Sequence, residues 1–262
     1  MDSSTMLRRF EDEARRFAEL VAATPADSAV PTCPGWTLTR LVVHQGSILH
    51  WARALIDANG EYLDRRSLDI GLPGVDASPQ VWADWLLESA TLVIEALERI
   101  PDDTPTWTWG DGTTAAWWTR RLLHETAVHR IDAELAAGNT DWTIDAEVAI
   151  DAIDEHLANV EASGSFCDAV THLRGDGSIH LHTTDLDGEW LIDLNPHGFT
   201  IGHGPRAATT ATRQTVAARG TARDLLAAVT NRASSTNGLP DGLQIFGEPG
   251  MLVWWFTNSA LT

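Results

Sequence analysis

Residues 118–136, WTRRLLHETAVHRIDAELA, read as one amphipathic helix whose inward stripe changes character half-way along. Stepping by three and four gives Trp118, Leu122, Glu125, His129, Asp132 and Ala136 on one face, because 3.6 residues complete a turn. The stripe begins apolar, as a core face does, and then presents a carboxylate, an imidazole and a second carboxylate. Burying such groups is expensive unless something compensates them. A divalent metal is one compensator. An ion-pair network with Arg121 or Arg130 is the other.

Three more stretches repeat at helical spacing. In residues 5–23 the apolar positions are Leu7, Phe10, Ala14, Phe17 and Val21, and Pro25 and Pro31 close the segment. The sequence PTCPGW at 31–36 is a turn by its Pro and Gly content. Thr37 is a suitable N-cap for a second helix running to about residue 58. Its stripe is Leu41, His44, Ile48, Trp51 and Leu55, so His44 stands where an aliphatic residue is expected. A loop at 60–79 leads to Ser78-Pro79, which opens a third helix carrying Trp82, Trp85, Leu92, Val93 and Ala96 and ending at Pro101. The loop 102–112, DDTPTWTWGDG, then precedes the helix described first, which stops at Gly138. Four amphipathic helices joined by loops predict a four-helix bundle, where metal sites are built from facing helices. His44 is then placed to meet Glu125 and His129.

Beyond Gly138 the period shortens. One more helix is expected at 145–160, with Ala149, Ile153, Leu157 and Val160 inward. Alternating runs follow at 179–185, 189–194, 199–202 and 214–218, separated by turns such as Asp187-Gly188 and Pro196-His197-Gly198. They read as antiparallel strands. Thr221 with Asp224 starts a short helix, a loop at Asn237-Gly238 follows, and the apolar run MLVWWF completes a core. The fold class is therefore α+β in two domains, a bundle at 1–140 and a small α/β domain with an antiparallel sheet at 146–262.

The formal charge is −19, and every basic side chain is arginine or histidine. That acidity argues against nucleic acid and anionic membranes as partners. Without lysine there is no Schiff-base chemistry and no phosphate-loop lysine. Cys33 and Cys167 are too few for a disulfide framework. The start, MDSSTMLRRFEDEARRF, has no apolar leader core, and no apolar run is long enough to span a membrane. A reducing cytosol is the expected setting, with a monomer or homodimer both open.

Two imidazoles and one carboxylate suit zinc, iron(II) or nickel and leave positions for water or substrate. Asp132, one turn after His129, is placed to orient a ligand. CPGW–TLTRLVVHQ followed by HETAVHRIDAE resembles the actinobacterial mycothiol-dependent maleylpyruvate isomerase family, whose first domain is a DinB-like bundle. VAARGTARDLLAAVTNR with LQIFGEPGMLVWW resembles the sterol carrier protein-like domain of the same family. The resemblance implies that His44, Glu125 and His129 bind one divalent metal, usually zinc. It implies mycothiol as thiol cosubstrate, with a small molecule as the other.

A metal-bound thiol is deprotonated near neutral pH. In the family the thiolate adds to the cis double bond of maleylpyruvate, rotation follows, and elimination returns the trans isomer. Relatives would transfer the thiol instead. The cosubstrate supplies the nucleophile, so Cys33, in its Pro-flanked turn, is read as structural and Cys167 as packing. His44 and Arg232 are the residues assigned to catalysis, and Trp118 and Asp132 those assigned to the cofactor. Arg232 stands where the family often has Gly-Arg, and Arg223 is a second candidate for an acidic substrate. Trp107, Trp109, Trp117 and Trp118 either line a pocket or fill the core. His180 and His182 share a strand face and are read as a surface pair. The competing reading is a non-catalytic small-molecule-binding or regulatory protein with the same two domains.

Overall fold

The computed structural model describes residues 1–110, 112–163, 172–204, 215–233 and 238–260. Cys167, Gln214 and Asn237 lie outside the described residues. The chain divides into two compact units, Met1–Trp142 and Thr143–Thr262.

In the first unit the helices start where capping side chains stand. Asp2 Oδ1 accepts from the Thr5 N–H at 2.7 Å to open α1 (Ser3–Ala23). Thr37 Oγ1 accepts from Arg40 N–H at 3.3 Å to open α2 (Leu38–Asp57). Ser78 Oγ caps α3 (Pro79–Glu98), with Pro79 in the first turn. Helix α4 (Ala115–Ala136) begins three residues before the position expected from its stripe. Thr114 makes no side-chain cap there. Carbonyls of the preceding loop serve instead, Thr104 O accepting from Ala115 N–H at 2.9 Å and Asp102 O from Ala116 N–H at 3.0 Å.

Helix α1 packs on α3 and α4, and α2 packs on the same two. Chain neighbours α1 and α2 therefore occupy opposite corners, and α2 runs beside α4. The core between them is apolar, with Phe10, Phe17, Leu41, Leu55, Val93 and Leu122 all fully buried. One charged exception is Arg130, also fully buried, whose Nε donates to Glu13 Oε2 at 2.7 Å while Nη1 reaches Glu134 Oε1 at 3.5 Å. A paired network of this kind satisfies the guanidinium and ties α1 to α4. A single 3-10 turn (Arg65–Ser67) sits in the loop between α2 and α3.

The second unit carries α5 (Ala146–Ser163) and a five-stranded sheet: β1 (Gly177–Thr183), β2 (Glu189–Asn195), β3 (Gly198–His203), β4 (Val216–Gly220) and β5 (Gln244–Gly247), in the order β3-β2-β1-β4-β5. Three pairings are antiparallel, but β1 and β4 run parallel, so the sheet is mixed where an antiparallel one was expected. The meander β1-β2-β3 occupies one edge of β1, and β4 joins the other edge pointing the same way. Alternation in sequence fixes a strand's face and not its direction. Helix α6 (Ala222–Val229) starts at the Thr221 cap. The apolar run MLVWWF forms α7 (Pro249–Asn258), opened by Pro249 and the Glu248 side chain. No helix among the described residues is long and apolar enough to cross a membrane.

Candidate metal centre

The adjacency of α2 and α4 brings His44, Glu125 and His129 together, one ligating atom from each lying within 4.8 Å of the others. Glu125 Oε1 is the focus. His44 Nε2 lies 3.3 Å from it and His129 Nε2 3.2 Å. The two imidazoles meet edge to face, with centroids 4.9 Å apart.

The ring nitrogens differ in their partners. His129 Nδ1 faces Asp132 Oδ2 at 2.8 Å. Asp132 is fully buried, and its Oδ1 accepts from the Thr32 hydroxyl at 2.5 Å, with Cys33 Sγ 3.9 Å from Oδ2. In a neutral His129 ring, a proton on Nδ1 toward Asp132 would leave the Nε2 lone pair facing Glu125. Burial holds the pKa of His44 down at about 3, helped by the charges of His129, Arg65 and Arg121 and opposed by Asp132. His44 is thus neutral near pH 7, and its short contact to Glu125 is not an ion pair.

Acceptor atoms crowded at this distance repel unless a proton or a cation lies among them. A tetrahedral ion with bonds of about 2.0–2.1 Å separates its ligands by about 3.3–3.4 Å, and the two nitrogen–oxygen distances come close to that edge length. The donor set and the Asp132–His129 contact match the way metal-ligating histidines are oriented. The residues present fit a divalent cation.

Of the two guanidiniums that offered an alternative, Arg130 is committed to Glu13 and Glu134, away from this group. Arg121 Nη2 donates to Glu125 Oε2. It takes the outer carboxylate oxygen and leaves Oε1 to the imidazoles.

Tryptophans wall the group. Trp36 lies 5.1 Å from His44, edge to face. Trp51, two turns beyond His44 on the same stripe, contacts Trp118 at 5.6 Å and Trp107 at 5.5 Å. Trp118 is 1% exposed and donates Nε1–H to Trp107 O at 2.8 Å. Trp118 and Asp132, assigned to the cofactor from sequence, thus keep these polar atoms on protein partners. Arg232 belongs to the second unit, after α6, where its Nη1 donates to Thr230 O at 2.6 Å. Arg223 Nη1 lies 3.5 Å from Asp224 Oδ1. His180 Nε2 pairs with Glu189 Oε1 at 2.7 Å, and its ring stacks on His182 at 6.2 Å. Thr32, Trp36 and Arg65 carry no periodic signal; only the turn motif 31–36 marks the first two.

Residues 7–134, which include His44, Glu125, His129 and Asp132, match the mycothiol maleylpyruvate isomerase N-terminal domain. The match covers nearly all of the first unit. Two crystal structures of mycothiol-dependent maleylpyruvate isomerase, one of them a histidine-to-alanine mutant, share the fold with a TM-score of 0.60 over 95% of both chains. Their sequence identities to this chain are 12% for the mutant and 13% for the other, so the likeness is one of fold. A comparison with curated proteins finds no match. Within the matched residues, the sequence motifs and the side-chain cluster coincide at His44, Glu125 and His129.

Proposed function

We propose that the protein is a metal-dependent enzyme that uses a low-molecular-weight thiol, of the maleylpyruvate isomerase type or a related thiol S-transferase. The observation that carries this reading is the convergence of His44, Glu125 and His129 on one point, with His129 already oriented through Nδ1 by Asp132. Zinc is the favoured ion for two imidazoles and a carboxylate, and mycothiol the favoured thiol from the family. Bound there, the cation would supply the positive charge that keeps a thiol as thiolate near neutral pH.

The chain's own residues perform the rest. Asp132 holds His129 in the ligating tautomer, and Thr32 holds Asp132. Arg121 fixes the Glu125 carboxylate and offsets part of its charge. Trp36 and Trp51 flank the group with apolar surface, which limits water around a nucleophile. No protein cysteine is needed as nucleophile, since Cys33 faces Asp132. The second unit, 146–262, is assigned to the sterol carrier protein-like type on its sequence resemblance.

The test is an isomerisation assay with zinc-loaded protein, mycothiol and maleylpyruvate, alongside a thiol-conjugation assay with a neutral electrophile. The reading predicts thiol-dependent turnover in one of the two, lost in His129→Ala. Metal-loaded wild-type protein that turns over neither substrate contradicts it.

A further inference from the structure

Strand β1 carries His180 and His182 two residues apart, so both side chains leave the same face of the sheet. Ile179 and Leu181 point the other way and are buried together with Ile192 and Leu194 of β2. The core of the second unit therefore lies on the far face. The histidine face is the open one: His182, Asp193, Thr200 and Arg219 share it by register, and all four are exposed. Two imidazoles in successive outward positions of one strand form a donor pair, held by a backbone that is hydrogen-bonded on both sides.

A third donor comes across the β1–β2 ladder. Glu189 is the register partner of His182, and facing Cβ atoms in such a pair stand about 4.5–5.5 Å apart. Its side chain leans along the diagonal, and Oε1 lies 2.7 Å from His180 Nε2. The two rings are nearly parallel, with 13° between their planes and centroids 6.2 Å apart. That separation follows the two-residue repeat of a strand, about 6.6 Å. His182 has no hydrogen-bond partner among the described residues, so turning its ring toward Glu189 breaks no hydrogen bond. Arg219, the register partner of His182 on β4, is the competing cation on this face. Among the described residues Glu189 pairs with His180 and not with Arg219.

We propose that His180, His182 and Glu189 form a second site for a divalent ion of the zinc type, on the open face of the sheet. Imidazole and carboxylate donors suit such an ion and leave positions for water. His180 and Glu189 are half-buried and already in contact, with 15% and 19% of their side chains exposed. Rotation of the His182 side chain completes the donor set and ties β1 to β2 through the ion. One exposed ligand and open water positions make this ion exchangeable, so it is lost on desalting. The proposal stands on residues of the second unit alone and does not depend on the reading of the first.

The test loads full-length protein with zinc, desalts it exhaustively, and then follows the binding of added zinc by calorimetry, so that exchangeable ions are the ones measured. Wild type is compared with His180→Gln, His182→Gln and Glu189→Gln, and with His197→Gln, an exposed histidine of the β2–β3 turn. His129→Ala reports on the first unit's group. Circular dichroism confirms folding, and the exposed position of His182 keeps its variant clear of the core. The proposal predicts an exchangeable zinc whose affinity falls about tenfold or more in each of the first three variants, since even residues that only orient a ligand are worth that much. His197→Gln and His129→Ala leave that affinity unchanged. Absence of an exchangeable zinc overturns the proposal, as does an affinity that is unchanged in His182→Gln or equally lowered in His197→Gln or His129→Ala. Zinc retained through desalting reports on the first unit separately, so either site can fail while the other stands.

Discussion

Asp132 shows how much a single buried carboxylate decides. It accepts from Thr32, faces Cys33 and fixes His129 in the tautomer that leaves Nε2 unprotonated. Asp132→Ala is expected to weaken zinc affinity about 10- to 100-fold, measured by competition with a chelator. Unchanged affinity would mean that His129 needs no such support. A second residue-scale expectation concerns His50. Ser89 donates its hydroxyl to Trp85 O at 2.7 Å, so its oxygen accepts from His50 Nε2–H at 3.0 Å. Burial first, then Arg53, lower the His50 pKa below its ordinary 6.5, with Glu88 opposing. The unfolded chain therefore takes up this proton at a higher pH than the folded one, and stability declines as pH falls below about 6.5. His50→Gln is predicted to make that decline shallower in urea unfolding between pH 7.5 and 5. Parallel profiles for the two proteins would contradict the assignment. At this scale the sequence showed Glu125, His129 and Asp132 clearly, because helical spacing alone aligns them. Thr32 and Trp36 carry no helical period and were marked only by the turn motif 31–36, from which they reach the site.

Between elements, close approach is the controlling quantity. Gly46 lies on α2 where the Trp85 ring of α3 closes on the backbone, and an added Cβ would overlap that ring. The ring is not free to retreat, since Trp85 Nε1 donates to Ile70 O at 3.1 Å and its face stacks on His50 at 5.8 Å. Gly46→Ala gains helix propensity of up to about 1 kcal/mol but overpacks at a cost of about 1–3 kcal/mol. The net expectation is a loss of about 1–2 kcal/mol in urea unfolding. Equal or higher stability would show that α2 and α3 can shift apart. The helices of the bundle were legible because each buries one stripe, and their starts because Asp2, Thr37 and Ser78 are side-chain caps. The start of α4 was not legible, because its cap is made of backbone carbonyls from residues 102 and 104. β5 escaped notice for a different reason: Gln244–Gly247 is four residues long and mostly exposed, so it carries no alternation to read.

Over the whole molecule, the centre lies entirely within the unit Met1–Trp142, and the packing of α2 beside α4 is what creates it. The central claim is that His44, Glu125 and His129 together hold one divalent cation. It is tested most directly by measuring zinc in full-length protein after equilibration with the metal and exhaustive desalting, for wild type, His44→Ala and His129→Ala, with circular dichroism to confirm folding. The account predicts about one zinc per wild-type chain and a small fraction of that in either variant, all three remaining helical. Equal zinc content in the three folded proteins, whether near one or near none, would contradict it.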